Sequence, residues 1–237
     1  NQASLMTHPV YYLASELGAS SPNPFKSRYY SRFDTDSALA HLRLFHVSDV
    51  VALSRELTVA LNQRHGVTRT ARIPPYTIFR LPDGGAAVTP MAHEPVRSGR
   101  RGWRDKAYRW FTRKPLSPAH LVFTDDERFA LQEEDEWLPP PQRPLPDGVH
   151  AAADMHSERI RIRTDRPGHP LLVKVSYHPR WRAVGADGPY LVSPALMMVI
   201  PRGAEAELYY ARTWSDHAGI ALTLAGLAMV AFVTVRT

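Results

Sequence analysis

The densest group of side chains able to contact a ligand is the run Ser176, Tyr177, His178, Pro179, Arg180, Trp181 and Arg182. Tyr177 and Trp181 carry aromatic faces of the kind that stack on pyranose rings, and Arg180, Arg182 and His178 supply donors for hydroxyl or phosphate oxygens. Read for chemistry, Tyr177, His178, Arg180, Trp181 and Arg182 form a candidate substrate-binding patch for a sugar. The competing reading is that Tyr177 and Trp181 are packing residues of a β-sandwich. Neither reading supplies a catalytic residue.

Other constellations carry less. The eleven histidines include no HxxxH, HxH or HExxH pair, and His41, His46, His150 and His156 lack ligand spacing, so no metal site is expected. Asp34 and Asp36 stand where an acid pair could work, but two acids just ahead of an amphipathic segment more often cap a helix and complement its dipole. No GxSxG, P-loop or GxGxxG occurs, which leaves elbow-type hydrolase, nucleotide and dinucleotide chemistry without support, and no cofactor is expected. The complete absence of cysteine removes disulfides, thiolate metal sites and Cys nucleophiles.

Charge is locally patterned. The formal net charge of +6 from 29 Lys+Arg against 23 Asp+Glu arises largely between Arg97 and Lys114, where Trp103, Tyr108, Trp110 and Phe111 interleave with the cations. Such a segment could be a solvated surface helix or an interfacial helix with its rings toward lipid. No nucleic-acid-binding motif accompanies it, so nucleic acid is not expected as a partner. An acidic stretch, Asp125 to Glu136, follows and could neutralise it.

These residues must be held by elements that the periodicity outlines. Residues 1–34 read as irregular with one short helix, and 35–93 as a small α+β unit: a leucine-rich helix, then strand, helix and three strands. Residues 94–149 form a charged, proline-rich connection, and 150–213 a β-sandwich-like domain. Within the latter, Arg159 to Arg163 alternates Arg with Ile, placing Ile160 and Ile162 on a packed face, and GADG at 185–188 is the strongest hairpin signal.

Residues 218–235, AGIALTLAGLAMVAFVTV, contain no charge over eighteen positions. At 1.5 Å per residue they would extend roughly 27 Å, so one C-terminal transmembrane helix is expected, flanked by Tyr209, Tyr210 and Trp214 and with small-residue faces suited to other membrane helices. The expected fold class is therefore α+β: a small α+β unit, a β-sandwich-like domain and one membrane helix. The start, Asn1 to Pro9, has no signal-peptide pattern and reads as the interior of a longer protein.

The segments LVKVSYHPRW, GADGPYLVSPALMMVIP and ELYYART, with ALAHLRLFHVSDVVALS upstream, carry a family resemblance. They resemble the C-terminal extracytoplasmic part of YfhO-like, GT-C-type polytopic membrane glycosyltransferases, a group overlapping membrane proteins labelled as pyruvoyl-tetrahydropterin-synthase-related. The resemblance implies lipid-linked sugar donors, upstream membrane helices of the same protein, location at the cytoplasmic membrane with the bulk outside it, and a catalytic acid in an early outer loop that this sequence does not contain. Two functions follow as expectations. One is an accessory domain contributing acceptor or headgroup contacts; the other is a non-catalytic, membrane-anchored structural or interaction protein.

Overall fold

The computed structural model describes residues 7–18, 30–82, 86–131 and 142–236. Helix α1 (Thr7–Glu16) leads to α2 (Thr35–Leu44), whose N-cap is Asp34: its carboxylate accepts from the Ser37 backbone N–H at 3.2 Å. Strand β1 (Asp49–Ala52), helix α3 (Arg55–Asn62), and strands β2 (Thr68–Ile73) and β3 (Tyr76–Arg80) complete a small lobe. Its antiparallel sheet has the order β1-β3-β2, and Leu39, Leu42, Val50, Leu57, Leu61 and Phe79 fill the space between sheet and helices. The strand expected to follow in the same unit, β4 (Val88–Pro90), instead leaves it and pairs antiparallel with residues 171–173 of the sandwich.

The chain then forms β5 (Val96–Ser98), α4 (Trp103–Thr112) and β6 (Leu121–Phe123), followed by β7 (Ala151–His156), β8 (Arg159–Thr164), β9 (Leu171–Ser176), β10 (Trp181–Val184), β11 (Ala186–Val192), β12 (Leu196–Pro201) and β13 (Glu205–Tyr210). These strands build two sheets, β4-β9-β12-β11-β6-β5 and β10-β13-β8-β7. Between them lies a core in which Val173, Met197 and Val199 of the larger sheet meet Ile160, Ile162 and Leu208 of the smaller.

The alternation in β8 behaves as its pattern requires. Ile160 and Ile162 are each 1% exposed. Arg159 and Arg161 point outward and pair with Glu207 at 2.9 and 3.4 Å, while Arg163 reaches Glu205 at 3.4 Å. The larger sheet differs, because both its faces are covered. Met197 faces the sandwich core, whereas Leu172, Leu196 and Met198 face a second core formed with Tyr108, Trp110 and Phe111 of α4. The rings of α4 thus pack inward, Trp110 Nε1 donating to the Ala119 carbonyl at 2.8 Å, which removes the reading in which Tyr108 and Trp110 face lipid.

The GADG segment is a corner and not a hairpin. β10 belongs to the four-stranded sheet and β11 to the six-stranded one, so the chain changes sheets at Gly185, whose φ of +73° is favourable only for glycine. Local turn chemistry is the same in both cases, and only the distant partners of each strand distinguish them. Past the corner the register slips between Asp187 and Tyr190, and Asp187 accepts from Arg128 and Arg202, each at 2.6 Å.

The expected fold class needs correction. The described residues are mostly sheet, with thirteen strands in three sheets and five helices, and none of those helices is long and apolar enough to cross a membrane. The run 218–235 does lie within α5 (Trp214–Arg236), but that helix opens on Ser215, Asp216 and His217, and nine of the eighteen residues in the run are Ala, Gly or Thr. The flanking tyrosines are also strand residues: Tyr209 pairs with Arg159 and Arg182, and Tyr210 with Trp181. The acidic residues Glu133 to Glu136 and Pro139 to Pro141 of the connection lie outside the described residues.

A Cβ at position 185 would sit 2.9 Å from the Glu205 carbonyl oxygen, whereas one at Gly203 meets nothing within 4 Å. Gly185→Ala is expected to lower stability by about 1–3 kcal/mol in urea unfolding, and Gly203→Ala to stay within about 0.5 kcal/mol of wild type.

Candidate functional site

The five residues singled out from sequence come together at one end of the sandwich, where β9 ends, β10 begins and the chain leaves β13 for α5. Trp181 is 8% exposed and meets Tyr210 edge to face, their ring centroids 5.4 Å apart. Tyr177 packs part-buried on the same core. The Arg180 guanidinium lies 5.1 Å from the Tyr210 ring centroid. Arg182, on the outside, donates to the Pro179 and Trp181 carbonyls. His178 Nδ1 accepts the Arg180 backbone N–H at 3.1 Å and lies 2.9 Å from the Tyr210 hydroxyl. Burial, and then the Arg180 charge, hold the His178 pKa below its ordinary value, so the imidazole is neutral at neutral pH.

Arg180 organises this end of the molecule. Its Nε donates to the Ala211 carbonyl at 3.1 Å, one terminal nitrogen donates to Thr213 Oγ1 at 3.3 Å, and the same group ion-pairs with Asp216. Asp216 in turn accepts from the Thr213 backbone N–H at 2.6 Å and from its hydroxyl at 2.9 Å. Thr213 and Asp216 are the N-cap and third residue of α5, and the carboxylate reaching back to the N-cap N–H is half of a capping box. The TWSD signature at 213–216 carried that information in the sequence, but nothing local linked it to Arg180, thirty-three residues earlier.

A cavity of about 590 Å³ adjoins this junction, lined by Glu158, Arg180, Tyr210, Arg212, Asp216 and the first turns of α5 around Ile220 and Leu224. Glu158, Arg212 and Asp216 were not among the residues expected from the sequence. The lining mixes charge with aliphatic carbon, and its hydroxyls are engaged within the fold: Ser215 Oγ lies 2.7 Å from Thr213 Oγ1, and Thr223 donates to the Gly219 carbonyl at 2.8 Å. Among the described residues no group of three or more His, Asp or Glu is placed to hold a metal ion.

The acid pair at 34 and 36 sits in a separate cavity of about 610 Å³ with Lys114, Arg64 and Tyr12. Lys114 Nζ lies 2.6 Å from Asp34 and 3.5 Å from Glu16, and Asp36 pairs with Arg64 at 2.9 Å. Behind them Glu16 is fully buried, 2.6 Å from His41 Nδ1, while His41 Nε2 donates to the Phe111 carbonyl at 2.9 Å. This chain of contacts ties α1, α2 and α4 together, and it accounts for both acids as structural groups.

No protein-family model matches the sequence, and no curated protein or solved structure is significantly similar to it.

Two predictions follow from these contacts. Arg180→Met removes the tether of α5, and amide hydrogen exchange at 213–217 is expected to accelerate about five-fold or more, equivalent to a cap of ~1 kcal/mol, with β8 and β12 unchanged. The hydrogen bond from Lys114 holds the Asp34 pKa down at about 2. Because the folded value lies below the unfolded one, near 3.9, this stabilisation is complete above about pH 4 and is lost as pH falls toward 2. Asp34→Asn should therefore flatten the acid limb of a Tm-against-pH profile over that window.

Proposed function

We propose that this chain is a non-catalytic interaction module that associates with membrane lipid, α5 supplying the apolar contact and the sandwich supplying a rigid body. The observation that carries this reading is the exposure of α5. Leu222, Leu224, Leu227, Met229 and Val230 are 62–74% exposed, and positions 222, 224, 227 and 229 do not share one side of a helix. An apolar surface of this size left in water is an association site.

The alternative, an accessory domain contacting lipid-linked sugars in a glycosyltransferase, rests on segment resemblance alone. The side chains it would use have other engagements. Trp181 keeps its ring in the sandwich core, Arg180 is bound to Ala211, Thr213 and Asp216, and His178 is held between Arg180 and Tyr210. Ring faces and guanidinium forks committed to internal partners are poor candidates for stacking on or bridging a sugar.

Flotation with phosphatidylcholine and phosphatidylglycerol vesicles tests the proposal. Wild-type chain is expected in the floating fraction, and the Leu222→Lys, Leu227→Lys double variant should lose at least ten-fold in bound protein, since each leucine contributes about 1.5–3 kcal/mol on leaving water. Wild-type protein remaining at the bottom of the gradient would overturn it.

A further inference from the structure

A third cavity, of about 360 Å³, opens where α2, β4, the segment after α4 and β9 converge. Ala40, Pro90, Ala92, Leu116 and Pro118 give it accessible apolar carbon, together with the edges of the core residues Leu44, Met91, Trp110 and Leu172. Two cations, Arg43 and Lys174, stand in the same lining, and no aspartate or glutamate does. Arg64, Arg80, Lys114, Arg128, Arg159, Arg161 and Arg202, by comparison, each pair with a carboxylate.

Lys174 Nζ has one partner among the described residues, the Arg43 carbonyl at 3.1 Å. Half-burial draws its pKa below the ordinary lysine value, and no neighbouring anion offsets that. His120, also in the lining, contributes no charge near neutrality: burial lowers its pKa to about 4, and its Nδ1–H donates to the Ser193 carbonyl at 2.8 Å. A cation partly withdrawn from water without a counter-charge has the most to gain from an anion that brings its own apolar body.

We propose that this cleft binds a single-chain amphiphile with a carboxylate head, the carboxylate placed on Lys174 with Arg43 beside it and the chain against Pro90, Ala92, Leu116 and Pro118. Its volume lies within the range of small-ligand pockets, and its lining pairs an extended apolar wall with a few convergent donors. The site is separate from α5 and stands whether or not the chain associates with membranes.

Isothermal titration of the full chain with octanoate, acetate and 1-octanol separates head, chain and their combination. Octanoate is expected to bind saturably and at least ten-fold more tightly than either acetate or octanol, and Lys174→Met should bring it to within about two-fold of octanol. Methyl shifts in the wild-type protein locate the ligand without a variant, and they should centre on Ala40, Ala92 and Leu116. Unsaturable octanoate binding, undiminished affinity in Lys174→Met, or shifts confined to α5 would each overturn the assignment.

Discussion

Strand β12 serves two hydrophobic cores at once, and the remainder of the molecule is arranged around that requirement. Successive residues Met197 and Met198 point to opposite faces and are each fully buried, the first under the four-stranded sheet and the second under α4. A strand with both faces buried cannot carry an outward polar residue, which is why LMMVIP reads as a continuous apolar run. Covering the second face calls for an aromatic helix, and α4 provides it with Tyr108, Trp110 and Phe111. Phe111 then stacks on His41 at 3.9 Å between ring centroids, and His41 is bound to Glu16, so one continuous set of contacts runs from the sandwich into the small lobe.

The ends of this scaffold are held by polar ties that are buried or half-buried. Lys114, Asp34, Glu16 and His41 fasten three helices at one end. Arg180, Thr213 and Asp216 fix the start of α5 at the other. Both sets satisfy charges within the fold, and both include residues whose types could otherwise suggest acid–base chemistry or sugar contact. The apolar flank of α5 and the Lys174 cleft are different in kind: in each, a physical demand is left unmet by the described residues.

Local patterns were legible in the sequence where one face meets solvent. The Arg-Ile alternation of β8 gave both strand and facing, and the acids at 34 and 36 marked the capped start of α2. What depends on distant partners was not legible. Val88–Pro90 looks like a continuation of the preceding strands but finds its partner in β9, more than eighty residues on. GADG has the composition of a tight hairpin and serves as a change of sheet, and the basic, aromatic stretch at 97–114 hides its rings in a core contributed mainly by later strands. The run 218–235 shows the limit of absence of charge as a criterion. It forms most of α5, yet among the described residues no helix is long and apolar enough to cross a membrane. For the candidate site, composition located Tyr177 to Arg182 but did not reveal that Arg180 answers to Asp216.

Hydrogen exchange of the full chain, with and without phospholipid vesicles, addresses most directly the claim that α5 is the contact element on an otherwise self-sufficient body. Vesicles are expected to slow exchange across 218–231 by about ten-fold or more while β8, β9 and β12 exchange at their original rates. Unchanged exchange in 218–231, or slowing centred on the sandwich, would contradict the account.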